Sequence, residues 1–311
     1  MEPRQRAITA LTGGQPDVVP HFELEFQLGE EYFGRTFATR DEWEAEPSRG
    51  GEYLRRDARH FVEAADAFDY SIIMYSHVFR PGFEDYVEGI RILKDLDGGK
   101  RLIMAHGDGT LGIPDGENMM QMTVDLFERP REVKAAQRKS AEEACERGEK
   151  LMAAGLDGFI MCTDYCFNHG PFLSPAMFAE FVTPYLSWTI KEYRAMGAYV
   201  IKHTDGNIMP IIDQLVAANP HGLHSLDPMA GVDIKEVKRL YGDRLCLIGN
   251  VNCALMQTGT REEILESCRY AMESGKPGGG YIFSTSNCIF KGMPRRSYDM
   301  MLDYYRRNRA Y

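Results

Sequence analysis

Eight short runs rich in β-branched and aromatic residues alternate with longer amphipathic runs along a chain of 311 residues, and few folds accept that alternation. The β-rich runs are Val18–Phe26, Tyr70–Ser76, Arg101–His106, Gly158–Cys162, Ala198–His203, Gly222–Leu226, Leu245–Asn250 and Gly280–Thr285. Helix-like segments lie between them, among them Pro130–Ala154, Pro175–Met196, Arg261–Ser274 and Arg295–Arg306. Two of their starts carry N-terminal signals: Ser174 precedes Pro175 as an N-cap before an N1 proline, and Thr260 with Glu263 matches a capping box. Strands that alternate with helices run parallel, because each helix carries the chain back to the same edge. An open doubly wound sheet announces its ligand site with a glycine-rich loop after the first strand. Here the first run passes into Gln27-Leu28-Gly29-Glu30, and no GxxxxGK[ST] phosphate loop occurs. The chain is therefore expected to be α/β, a single (β/α)8 TIM barrel over residues 1–311, with residues about 27–66 as an N-terminal helical extension.

Composition narrows the function classes. Lys and Arg number 36 against 46 Asp and Glu, a net charge of −10 that repels phosphate backbones and anionic lipid, so nucleic acid and membrane surfaces are not expected partners. The seven cysteines are odd in number and never form a CxxC pair, which argues for a reducing, cytoplasmic setting rather than a disulfide framework. No apolar stretch approaches the ~18–20 residues of a membrane span, and the N-terminus is too polar for a signal core of ~7–15 residues.

In a barrel, chemistry collects at the C-terminal ends of the strands. The first run reads His21-Phe22-Glu23-Leu24-Glu25-Phe26, and its period of two gives His21, Glu23 and Glu25 one face and the apolar residues the other. The aromatic face is expected to meet the helices and the ionisable face to aim at the barrel mouth. The fifth run ends Ile201-Lys202-His203-Thr204-Asp205-Gly206-Asn207, with His203 and Asp205 on one face ahead of a turn glycine. The eighth ends in Ser284-Thr285-Ser286-Asn287-Cys288. An imidazole, a carboxylate and a distant thiolate could hold zinc with a fourth position open. After the fourth run, Asp164 is the expected inward group, Tyr165 a neighbour, and His169 lies before a Gly-Pro turn. Cys162 and Cys166 read as packing residues, and the stripe Met119, Met120 and Met122 reads as core.

The phrases His169-Gly-Pro-Phe-Leu-Ser-Pro175, His203-Thr-Asp-Gly-Asn207, Gly249-Asn-Val251 and Gly278-Gly-Gly-Tyr281 resemble the uroporphyrinogen decarboxylase superfamily, in the order expected there. True decarboxylases of that superfamily carry an Arg-rich segment after strand one and an Asp at the end of strand two. Here Glu25-Phe26-Gln27-Leu28-Gly29-Glu30-Glu31 has no Arg, and the second run ends Met74-Tyr75-Ser76-His77. The pattern is nearer to the cobamide-dependent methyltransferase branch, in which zinc is held by His-x-Cys on strand five and a Cys near strand eight. Carried across, His203 and Cys288 match, Asp205 stands where the middle Cys would be, and Glu23 is a further candidate ligand. The implied chemistry is transfer of a methyl group from a methoxylated small molecule to the Co(I) centre of a partner corrinoid protein, which brings the cobamide. In this reading Glu23, Asp164, His203 and Asp205 are catalytic, and His21, Glu25, Tyr165, His169 and Asn207 contact the donor. A methylcobamide:thiol methyltransferase, a metal-free lyase or decarboxylase of a small carboxylic acid and a catalytically silent ligand-binding barrel are the alternatives; a homodimer is left open.

Overall fold

The computed structural model describes residues 1–76, 79 and 82–311; His77 lies outside the described residues. Seven parallel strands form one curled sheet in the order β1 (Ile72–Tyr75), β2 (Leu102–His106), β3 (Gly158–Met161), β6 (Tyr199–His203), β7 (Gly222–His224), β8 (Cys246–Val251) and β9 (Tyr281–Thr285). Two short strands, β4 (Cys166–Phe167) and β5 (Gly170–Pro171), make an antiparallel hairpin beyond β3. The segment around His21 fills the remaining place. Its backbone bridges Tyr70 on one side and Phe283 on the other, both in the parallel sense. Ser71 N–H donates to His21 O at 2.7 Å, and Phe283 N–H donates to Pro20 O at 2.9 Å. The eight β-rich runs are thus the eight staves of a (β/α)8 barrel, the first held by single bridges rather than by a regular ladder.

Between the first stave and β1 lie the helices Gly29–Phe33, Arg40–Ala45 and Gly50–Phe68, the expected helical extension. Both expected caps form: Ser174 accepts from Met177 N–H, and Thr260 and Glu263 close a reciprocal capping box. Another helix, Pro3–Leu11, sends Ala7, Ala10 and Leu11 into the barrel's inner cluster and stoppers its N-terminal end. Among the described residues no helix is long and apolar enough to cross a membrane.

Alternation along the strands separates two packed layers. Ile72, Met74, Leu102, Ile160, Ile201 and Ile282 fill the barrel, while Ile73, Ile103, Phe159, Val200 and Phe283 face the helices. Phe22 and Leu24 belong to the inner set, which reverses the orientation expected for the first stave. His21 instead faces outward, its ring 5.0 Å from Tyr70 and 4.8 Å from Tyr305 of the helix Arg295–Asn308. The reason is that a closed barrel buries both faces of every strand, so ionisable groups on one parity need not mark the inside. The methionine stripe also departs from expectation. Met120 is 77% exposed on the helix Gly116–Glu128, which buries only Leu126.

Candidate active site at the barrel mouth

Three side chains meet just beyond the C-terminal ends of β3 and β6. The ligand atoms of Asp164, His203 and Asp205 all lie within 4.8 Å of one another. His203 is the last residue of β6 and is buried, Asp205 is half-buried, and Asp164 is exposed. Local backbone structure fixes the arrangement. Asp205 N–H donates to Asp164 Oδ1 at 3.0 Å, tying the two loops together. Gly206, at φ +82°, lets the chain pass under the β4–β5 hairpin, where a Cβ would lie 2.4 Å from Cys166 O.

The loop that presents Asp164 is braced from the helix side. Lys202 Nζ, fully buried, donates to Asp108 Oδ2 at 2.8 Å, Thr163 O at 2.9 Å and Met161 O at 3.1 Å. Asp108 also accepts from Thr163 N–H at 3.1 Å, and although burial opposes its ionisation, the Lys202 ammonium holds its carboxyl at about 2. Asp108 lies in Gly107-Asp108-Gly109-Thr110-Leu111-Gly112, a GxGxxG spacing that in an open sheet would suggest a dinucleotide loop. Here the glycines serve close packing: a Cβ at Gly107 would lie 2.6 Å from Phe159, and one at Gly112 2.5 Å from Thr163.

Electrostatics distinguish the three. Burial, then the charge on Asp164, pushes the Asp205 carboxyl up to about 7. Burial, then His224, drives His203 well below the usual histidine range. Asp205 Oδ2 accepts from Asn287 Nδ2, whereas Asp205 Oδ1 is buried with no hydrogen-bond partner among the described residues and lies 3.8 Å from His203 Nε2. A buried carboxylate oxygen without a donor, facing a ring nitrogen and a second carboxylate, is costly unless a cation or a proton sits among them. One imidazole and two carboxylates form an acceptable donor set for a divalent ion such as zinc.

The other expected site residues divide. Cys288 and Asp205 line one cavity of about 510 Å³, together with Asp227, Cys253, Asn287 and Phe290. The Cys288 sulfur nonetheless stays outside the three-residue cluster, and burial, with Glu25 next, raises its thiol to about 12. The third ligand atom in the cluster is that of Asp164. Glu23 is turned away, its Oε2 accepting from Thr285 N–H at 3.2 Å and from Thr285 Oγ1, and its Oε1 lying 3.2 Å from His21 Nε2. Tyr165 is buried, with its hydroxyl 2.5 Å from Thr110 Oγ1 and the Lys202 ammonium 4.2 Å from its ring centre, so it walls the Asp164 loop rather than facing the mouth. Asn207 caps the following turn by accepting from Met209 N–H at 3.2 Å, and His169 is exposed in the hairpin turn. Glu25 accepts from Gln27 Nε2 at 2.8 Å and lines a separate, mostly apolar cavity of about 520 Å³ under the N-terminal extension.

His224 is the main residue that sequence reasoning missed. It is buried, and its Nδ1 lies 2.7 Å from His203 Nδ1. Its signal was available: like His203, it is the last residue of its strand, and parallel register pairs such ends.

Comparison with known proteins places this geometry in context. Residues 110–308 match the family described as uroporphyrinogen decarboxylase (URO-D). Among solved structures, a methyltransferase from Methanosarcina mazei is 16% identical, superposes with a TM-score of 0.77, and the similarity covers 99% of each chain. An N-acetylneuraminate lyase from Fusobacterium nucleatum, 11% identical over 83% of this chain and 74% of its own, reaches only 0.42. No curated protein matches the chain.

Proposed function

The chain belongs to the uroporphyrinogen decarboxylase family, and from that premise we propose that it is a zinc-dependent methyltransferase. It would move a methyl group from a methoxylated small molecule to the Co(I) centre of a corrinoid protein. The observation that carries this reading is the cluster of Asp164, His203 and Asp205, with its orphaned carboxylate oxygen, at the end of the barrel where the fold places its chemistry. A full-length superposition on a methyltransferase barrel agrees with it.

In this reading Asp164, His203 and Asp205 would hold the ion, which would supply Lewis acidity toward the donor's ether oxygen. Asn287 steadies one Asp205 oxygen so that the other is aimed at His203. Lys202 and Asp108 fix the loop from which Asp164 projects. The cavity beside Asp205 would receive the donor; at about 510 Å³ it suits a small molecule, and among the described residues its lining contains Asp205 and Asp227 but no Lys or Arg. Such a lining repels a substrate with many carboxylates, which speaks against porphyrinogen decarboxylation. The Cys thiols at or near the mouth, Cys162, Cys166, Cys253 and Cys288, are raised by burial and are poor nucleophiles, so the methyl acceptor would come from outside. The sequence has no Asp-x-His-x-x-Gly corrinoid signature, which assigns the cobamide to a partner.

The test is metal analysis of protein purified without chelator, followed by a Co(I) absorbance assay with methoxylated donors and free cob(I)alamin. One zinc per chain and donor-dependent loss of the Co(I) band are expected. The metal-free lyase is favoured by one feature, an Asp205 carboxyl near neutrality that suits acid–base work. Protein without zinc that decarboxylates a small acid would establish that reading instead.

A further inference from the structure

His203 and His224 end neighbouring parallel strands, and the register sets them side by side. Their Nδ1 atoms are 2.7 Å apart, so one hydrogen lies between them. The far side of His224 decides which ring carries it. His224 Nε2 lies 3.0 Å from Thr285 O, a carbonyl that can only accept, so that nitrogen bears a hydrogen. Ser284 Oγ is 3.4 Å from Glu23 Oε2 and 3.3 Å from the same nitrogen; donating to the carboxylate, it turns a lone pair toward His224. A second hydrogen on His224 would make a cation in a fully enclosed place. Its contacts there are a carbonyl, a hydroxyl, the His203 ring and the Phe22 ring, with no carboxylate among them. An unpaired charge in such surroundings is strongly disfavoured. His224 is therefore neutral and accepts at Nδ1, and His203 donates.

We propose that His224 is a positioning residue that locks His203 in its Nδ1–H form, so that the Nε2 lone pair of His203 faces Asp205 and Asp164 before any metal arrives. The inference rests on the metal-holding role proposed above. It fits the lack of a hydrogen bond between His203 Nε2 and Asp205 Oδ1, 3.8 Å away: that nitrogen has no hydrogen to give. The opposite form would aim an N–H at the ion's place and would have to switch before binding. Behind His224 the chain of contacts continues. Thr285, whose carbonyl holds His224, donates both its own N–H and its hydroxyl to Glu23, and Glu23 meets His21. Glu23, expected as a ligand, is thus the far anchor of a relay that ends at the metal site.

The experiment uses the full chain with ¹⁵N-labelled histidine, metal-free, reading the ring-nitrogen shifts of His203, which are assigned by their loss in His203→Asn. The expected signature is a protonated Nδ1 and an unprotonated Nε2. In His224→Phe the Nε2–H form should appear and the zinc dissociation constant should rise by ~10–100-fold. His224→Asn, which returns an oxygen acceptor near the place of Nδ1, should restore both readouts to within a few-fold. Wild-type His203 protonated at Nε2 overturns the proposal whether or not the Phe variant folds. An unchanged zinc affinity in folded His224→Phe overturns it too. Wild type with the expected tautomer but no zinc uptake upholds the relay and defeats the metal reading.

Discussion

Two polar clusters stand on opposite faces of the same barrel wall, one residue apart on β6, one built on the fully buried Lys202 and one opening onto the mouth. On the helix side, Lys202 satisfies itself with Asp108 and two carbonyls. On the barrel side, His203 meets two carboxylates, one of which keeps a buried oxygen without a donor. The difference teaches which buried polar group to suspect of function. A charge that finds all its partners within the fold braces the structure, while one left incomplete points to something the fold was shaped to receive.

The comparison can be broken most sharply by substitution on each side. His203→Ala should abolish methyl transfer and zinc uptake, yet cost only about 1–3 kcal/mol of stability, the penalty for the unpaired Nδ1 of His224. Asp108→Ala should do the reverse in emphasis. It leaves Lys202 buried and unpaired, and urea unfolding should show a loss of about 3–5 kcal/mol. Comparable stability losses in the two variants would erase the distinction drawn here.

A smaller effect tests whether the helix-side layer is as dry as it looks. Burial, with the Arg35 charge second, lowers His60 from 6.5 to about 4. A group depressed in the folded state contributes stability above its unfolded value, lost as pH falls. The loss should therefore run from about pH 6.5 down to about pH 4 and reach about 3 kcal/mol at most. His60→Phe should flatten that part of the urea-midpoint profile, and an unchanged slope would assign the loss to other groups. The smallest change is expected from Cys288→Ala. Its sulfur lies outside the three-residue cluster, so zinc content should stay at wild-type level and turnover should fall by a few-fold at most. Loss of zinc in that variant would return Cys288 to the ligand set and displace Asp164.

The same contrast explains where sequence reasoning held and where it failed. The run expected at Arg101–His106 became Leu102–His106, and that at Gly280–Thr285 became Tyr281–Thr285, because hydrophobic periodicity and turn residues are local properties. His203 and Asp205 were legible for the same reason: they lie two apart at a strand end before a glycine. The first stave was read with the correct two sets of residues and the wrong side for each. Parity separates Phe22 from Glu23, but only packing against Ile72 and Leu102 on one side and Tyr298 and Tyr305 on the other says which set lies inside. Cys288 follows the end of β9, beyond the strand where alternation can be counted, and its sulfur lies outside the cluster that Asp164 joins.

What the sequence determined by itself is the order of elements, their parallel sense and the barrel they close into, together with one pair of the clustered residues at the mouth. These follow from spacing along the chain. The tertiary structure decided the rest: the third member of the cluster, the burial that brings Asp205 near neutrality, and the pairing of His203 with a histidine 21 residues away. Each depends on register between strands and on the loss of water around a carboxylate or a ring. Neither is a property of any one segment until the barrel has closed.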